Sequence, residues 1–256
     1  VNKIYYKNKV VLIVGGASGI GAGIAKTLSD FKATIIIADR DYKKASLLAS
    51  EIGKQSTAEE VDVANPESVR CLFERCTVRH LKIDMLINCA GIVAVGDATE
   101  FTDKEWQHVM AINLMGTIYT SMSAFRLMQN HNAGQIVNFS SGAALTSSRI
   151  NLPYATSKWG VMGFTLGLRN EGIEKNIKIS VICPGYIHTS MNKSANQNLP
   201  FYIKPISVEC AVKIILNGVE KNKAVIVFPL YQRVIWFLER TSLTISTFLR
   251  NSAPRP

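Results

Sequence analysis

Little in this sequence marks a chain held together by disulfides or metal. Its five cysteines (Cys71, Cys76, Cys89, Cys183 and Cys210) are odd in number and form no C-x-x-C pair. Free thiols in a reducing compartment are the simplest expectation. The four histidines, His80, His108, His131 and His188, form no H-E-x-x-H or Cys/His cluster, so no metal site is expected. Long apolar runs are missing too: the one from Val10 is broken by glycines and Ser18, which excludes a simple spanning helix. The opening VNKIYYKNK is polar and basic, with no apolar signal region behind it, and a cytoplasmic location is expected. No Pro/Gly/Ser-rich linker, low-complexity tract or internal repeat divides the 256 residues, so residues 1–256 are read as a single domain. The net charge of +10 is spread along the chain without Arg/aromatic clusters, so it reads as a solvated surface and no nucleic-acid partner is expected.

What is present is a regular alternation. Short β-branched runs at residues 10–14, 34–38, 58–61, 84–89, 134–139, 177–182 and 224–228 are separated by segments of helical length. Strand-helix alternation of this kind predicts an α/β fold, a Rossmann-type doubly wound parallel sheet of about seven strands. Asn65 with Pro66 reads as an N-cap and first turn, and TDKE at 102–105 as a capping box opening a helix that runs past Asn113 to about Met128.

After the first strand comes VGGASGIGAGIA, with Gly15, Gly19 and Gly21 spaced G-x-x-x-G-x-G and Ala17, Ser18 and Ile20 between them. Such a turn lets backbone amides and a helix N-terminus approach a pyrophosphate. The second strand ends in Asp39, where a carboxylate accepts hydrogen bonds from an adenosine ribose and repels a 2′-phosphate. NAD is therefore preferred, although Arg40 leaves NADP as an alternative. Asp62, with Val63 beside it, is placed to meet an adenine edge or merely to make a turn.

PYATSKWG, at 153–160, sets Lys158 one helical turn beyond Tyr154. A cation about 4 Å from a phenol, at an effective dielectric near 20, favours the phenolate by roughly 4 kcal/mol. That is about 3 pKa units, enough to bring a tyrosine toward neutrality and let it exchange protons with an alcohol or carbonyl. The same spacing recurs at Tyr5 and Lys9, so the pair alone does not distinguish chemistry from a surface contact.

With GGASGIG, NCAG, IVNFSSG, YATSK and PGYIHT in this order, the chain resembles the classical short-chain dehydrogenase/reductase family over residues 8–228. The resemblance implies a catalytic set of Asn113, Ser141, Tyr154 and Lys158. Ser141 is preferred over Ser140 from the family's usual interval to the tyrosine. Tyr154 would be the general acid/base, Ser141 a donor to the substrate oxygen, Lys158 a partner of the tyrosine and of the nicotinamide ribose, and Asn113 the anchor of a water in a proton relay or a simple polar contact. It also implies cofactor contacts from Asn88, Ala90 and Gly91, and from Pro184, Gly185, Ile187 and Thr189. His188 reads as a loop residue. Val14 and Cys89 depart from the family's usual threonine and asparagine, which puts local packing in question. A homodimer or homotetramer is expected through the helices that begin at Asp103 and Pro153.

The expected activity is hydride transfer between NAD(P) and a secondary alcohol or ketone, the alternative being a sensor that binds the dinucleotide without turnover. Apolar Leu145, Leu152, Met191 and Phe201 suggest a lipophilic substrate, such as a 3-hydroxyacyl or steroid-like compound. Residues 229–256 extend beyond the family core. There Leu230, Val234, Ile235, Leu238, Leu243 and Phe248 recur at near-helical intervals among Arg233, Arg240 and Arg250. An amphipathic helix of this kind packs on protein, over the active site or on a neighbour, or lies through 229–250 on an anionic membrane surface.

Overall fold

The computed structural model describes residues 1–53, 55–146, 150–189 and 204–242. Seven parallel strands, β1 (Val10–Val14), β2 (Thr34–Asp39), β3 (Ser56–Glu60), β4 (Met85–Asn88), β5 (Gly134–Phe139), β6 (Ile177–Pro184) and β7 (Val225–Phe228), form one sheet in the order β3-β2-β1-β4-β5-β6-β7. All seven expected runs are strands, and the order reverses between β1 and β4. Ligands of doubly wound sheets bind beyond the carboxyl ends at such a crossover.

β1 is apolar without interruption, and β2 nearly so, because both faces of the sheet are covered. Val11 and Ile13 of β1 join the core beneath α2 (Gly19–Asp30), α3 (Tyr42–Ile52) and α8 (Val208–Glu220), while Leu12 and Val14 join the core beneath α4 (Pro66–Arg79) and α6 (Gly116–Gln129). Each of these side chains is fully buried, and such burial contributes roughly 1.5–3 kcal/mol per residue. Val14 is simply part of this core.

Local chemistry sets the helix ends. Asn65 accepts from the amides of Glu67 and Ser68 to start α4, and Thr102 and Glu105 form the expected capping box of α5 (Asp103–Met110). The helix from Asp103 does run past Asn113, but not as a uniform α-helix: residues Ala111–Met115 form a π-turn between α5 and α6. Such insertions often lie at functional sites. A short α1 (Lys3–Tyr6), absent from the sequence expectation, precedes β1. There the Lys9 ammonium sits 4.5 Å from the centre of the Tyr5 ring, and the Tyr5 hydroxyl donates to Gln135. That pair is a structural contact.

The remaining helices are α7 (Leu152–Ile173), with Pro153 in its first turn, and α9 (Leu230–Thr241), which follows β7. Trp236 of α9 packs on a small third core of Ala144, Leu145, Met162, Val181 and Cys183.

Candidate active site

The glycine turn and the loop after β4 are packed against each other at the carboxyl edge. Gly15 has φ +73°, and a Cβ there would lie 2.4 Å from the Ala90 amide nitrogen and 2.8 Å from the Cys89 carbonyl carbon. At Gly21 a Cβ would lie 2.4 Å from the Gly15 oxygen. Only glycine permits this approach. Gly19 has φ +53°, and Thr189 across the cleft would touch its Cβ at 3.5 Å. Ser18 caps α2 by position, yet its hydroxyl makes no cap hydrogen bond. A glycine-built turn opening a helix N-terminus, with the Ser18 hydroxyl not used as a cap, is what a dinucleotide pyrophosphate requires, so this turn fits one.

Asp39 braces the cradle. One carboxylate oxygen accepts from the Ala17 amide at 3.0 Å and the other from the Asp41 amide at 3.0 Å, which leaves lone pairs on both. Arg40 beside it is exposed. Asp62 is also exposed and accepts from the Ala64 amide, the geometry of a turn aspartate, while buried Val63 packs against Gly116.

Asn88 is buried at the end of β4. Its amide donates to Asn138 at 2.8 Å and to Ser121 at 3.2 Å, and Asn138 donates on to Thr165, a buried network that fixes β4 and β5 under α6 and α7. Cys89 sits where an asparagine was expected, and it packs as a small apolar group against the α2 side of the sheet. Burial pushes its thiol well above the usual range.

The four residues expected to be catalytic converge beside this edge. Asn113, fully buried in the π-turn, accepts from the Ile92 amide at 2.8 Å and donates to the Ile92 oxygen at 2.9 Å and to the Ser157 hydroxyl at 3.0 Å. Its side chain is thereby a clamp between the β4 loop and α7, and its own carbonyl accepts from Thr117. Ser141 follows β5 and accepts from the Ala143 amide. Ser140, the neighbour it was weighed against, is buried and donates to the Lys158 carbonyl oxygen at 2.7 Å. One hydroxyl is spent on α7, and the other meets Tyr154.

Lys158 is almost completely buried, and its ammonium donates to the Phe139 carbonyl at 2.9 Å. Burial lowers its pKa from 10.5 to about 8, partly offset by the nearby thiols of Cys89 and Cys183. A Cβ on Gly91 would meet Asn113 Oδ1 at 3.2 Å and Lys158 Nζ at 3.4 Å, so glycine here leaves the ammonium room. The ammonium stands 5.7 Å from the centre of the Tyr154 ring.

The expected acidification of Tyr154 is not what these surroundings produce. Burial raises its pKa above 10, the nearby Ser141 hydroxyl lowers it in part, and Tyr186 and Cys183 raise it further. Lys158 is directed at Phe139 rather than at the phenol oxygen, so desolvation prevails.

Pro184 and Gly185 carry the chain out of β6, and the Gly185 amide donates to the Phe228 oxygen at 2.8 Å. Ile187, buried, forms a parallel bridge with Ile206, flanked by His188 N–H to Ile206 and Ile206 N–H to Tyr186 bonds. His188 is an exposed loop residue. Segment 190–203, with Met191 and Phe201, lies outside the described residues. Leu145 is a core residue, not a substrate contact: it is fully buried with Met162, Val181 and Cys183. Leu152 is the first residue of α7.

A family model described as short chain dehydrogenase matches residues 9–200. The chain belongs to the short-chain dehydrogenase/reductase family. It is accordingly an oxidoreductase that acts on CH–OH and C=O groups and binds a nicotinamide dinucleotide. A 3-oxoacyl-(acyl-carrier-protein) reductase of Chlamydia trachomatis is 34% identical over 197 residues, covering 75% of this chain and 79% of the relative. The Homo sapiens protein of the same name is 29% identical over 218 residues, covering 82% and 92%. Among solved structures, a short chain dehydrogenase/reductase from Burkholderia phymatum in complex with NAD superposes with a TM-score of 0.85 at 20% identity, over 94% of this chain and 96% of that one.

Sequence reasoning missed several residues of this dehydrogenase/reductase site. Ser157 ties α7 to Asn113, and Cys183 and Tyr186 lie near enough to raise the phenol's pKa, but a lone serine, cysteine or tyrosine carries no spacing signal. Tyr231 and Gln232 of α9 also reach the site, as described below.

Proposed function

We propose that this short-chain dehydrogenase/reductase reduces a lipophilic ketone, and in reverse oxidises the secondary alcohol, with Tyr154 exchanging the proton. The observation that carries this reading is the convergence of the Tyr154 phenol, the Ser141 hydroxyl and the buried Lys158 ammonium beside a turn that fits a pyrophosphate. A nicotinamide held there supplies or accepts the hydride. Ser141 donates to the substrate oxygen, where negative charge grows during reduction. Tyr154, with its pKa above 10, is protonated at neutral pH and so is in the form that donates to that oxygen. Lys158 supplies positive charge beneath the phenol and, from beside Gly91, donors for the ribose hydroxyls; Asn113 and Ser157 hold α7 in place.

Gly15, Ala17, Ser18, Gly19, Ile20 and Gly21 cradle the pyrophosphate, and Asp39 takes the adenosine ribose, which favours NAD over NADP by charge repulsion of a 2′-phosphate. Ala90, Gly91, Pro184, Gly185, Ile187 and Thr189 line the nicotinamide end. The 3-oxoacyl reductase names of the relatives support a 3-oxo or 3-hydroxyacyl compound as substrate. Titration of NAD and NADP into wild type and Tyr154→Phe, followed by turnover on a panel of lipophilic ketones, tests the whole reading. Equal turnover by the two proteins would remove Tyr154 from the chemistry.

Two associations complete the proposal. The chain pairs with itself through α5 and α7, as relatives commonly assemble, and half-exposed Trp159 lies on α7. The outer face of α9 meets anionic lipid: Leu230, Val234 and Phe237 are 71%, 53% and 66% exposed in one stripe, with exposed Arg233 and Arg240 beside it.

A further inference from the structure

The inner face of α9 is built onto the active-site loops. A Cβ on Gly142, the residue after Ser141, would lie 2.8 Å from both amide atoms of Gln232. At Gly185, just before Tyr186, a Cβ would lie 2.8 Å from the Tyr231 hydroxyl and 3.2 Å from Gln232 Cγ. The β5 loop and the β6 loop therefore share one wall, and that wall is the first turn of α9. The match to the family model ends at residue 200, so this wall lies beyond it.

The Tyr231 hydroxyl is buried and makes no hydrogen bond. Gln232 and the Tyr186 backbone are near enough to act on its acidity, but neither meets it in bonding geometry. Buried hydroxyls are normally satisfied, and an orphan beside a reaction site calls for a partner that arrives with the ligand. Tyr186 lies near enough to Tyr154, and Tyr231 near enough to Tyr186, for each to raise its neighbour's pKa.

We propose that Tyr231 and Gln232 form a second polar contact for the substrate, one that recognises an uncharged oxygen such as an ester, thioester or ketone carbonyl a few bonds from the reacting carbon. This rests on the ketone-reduction reading above and specifies its substrate as a compound with two oxygen functions. Both side chains are neutral, and burial keeps the Tyr231 phenol protonated, hence a donor. The adjacent cation, Arg233, is exposed, so the contact offers nothing to balance a carboxylate.

The test compares ethyl 3-oxohexanoate with 4-nonanone, which has the same chain length and lacks the ester. Wild type, Tyr231→Phe and Gln232→Leu are assayed for kcat and KM with NADH. Calorimetric binding of each compound is then measured in oxidised NAD, where reduction cannot occur. Each substitution is expected to weaken binding of the keto ester and raise its KM about five- to tenfold, with 4-nonanone within twofold. Tyr231→Phe should also leave the free protein at least as heat-stable as wild type, since it removes an unsatisfied hydroxyl. Equal losses on both compounds, or none on either, overturn the proposal. If wild type reduces neither compound yet the keto ester alone loses affinity in the variants, the contact stands and the proposed lipophilic-ketone reduction falls.

Discussion

Lys158 donates its ammonium to the Phe139 carbonyl at 2.9 Å and makes none of the ion pairs among the described residues. A buried cation paired only with a carbonyl is held at a cost in stability. Its pKa of about 8 against 10.5 corresponds to about 3 kcal/mol. Below pH 8 both folded and unfolded chains carry the proton and the full penalty applies. Between pH 8 and 10.5 the folded chain has lost its proton while the unfolded chain keeps it, so this penalty fades as pH rises.

Lys158→Met is therefore expected to raise stability at pH 7 by about 1–2 kcal/mol, after the lost hydrogen bond is deducted, while abolishing turnover. Thermal unfolding of the two proteins at pH 7 and pH 9.5 checks this: the gap should shrink at the higher pH. A gap that widened would mean the ammonium is stabilised by its surroundings.

Tyr154→Phe should bind NAD with unchanged affinity and lose about 10²–10⁴-fold in kcat. Because the wild-type phenol is protonated up to a raised pKa, reduction should hold steady through neutral pH and fall above about pH 8, first as Lys158 loses its proton and then as the phenol ionises. A pH profile of ketone reduction measures this, and a fall centred near pH 7 would restore the acidified tyrosine that the Lys158 spacing suggests.

At Asp39, replacement by asparagine removes the charge while an oxygen remains for the Ala17 amide. NADP affinity is expected to rise about tenfold or more relative to NAD, read by fluorescence titration of the two reduced cofactors. An unchanged ratio would show that Asp39 only braces the glycine turn.

Gly15→Ala meets both a positive φ and a contact of 2.4 Å with backbone. Because the Ala90 backbone cannot swing aside as a side chain can, a loss of about 2 kcal/mol or more and weak dinucleotide binding are expected. Denaturant unfolding and NAD titration check it.

On α9, Val234→Glu with Phe237→Glu alters only exposed positions. Flotation with anionic vesicles should be lost while fold and turnover of a water-soluble ketone persist. Wild type that fails to float with anionic vesicles, or floats equally with neutral ones, would contradict charge-assisted lipid contact.

The sheet was legible in the sequence because buried parallel strands must be apolar on both faces, which the runs at 10–14 and 34–38 show, while polar edge strand β3 was legible only from its place in the alternation. The glycine turn was legible because positive φ at Gly15 and close approach at Gly21 leave no other residue possible. The grouping of Asn113, Ser141, Tyr154 and Lys158 was legible through motif order and the i, i+4 rule. Spacing could not give the direction of Tyr154's acidity, since that depends on how much water burial removes and where the Lys158 ammonium points. Nor could it give the π-turn at Asn113 or the inward placement of Leu145, which are set by packing between elements distant in sequence. The amphipathic pattern of residues 230–241 determined by itself that a two-faced helix would form. Only the tertiary structure decided which face is inner, because the bond from Gly185 to Phe228 ties the start of α9 to the β6 loop and sets Tyr231 and Gln232 against Gly185 and Gly142.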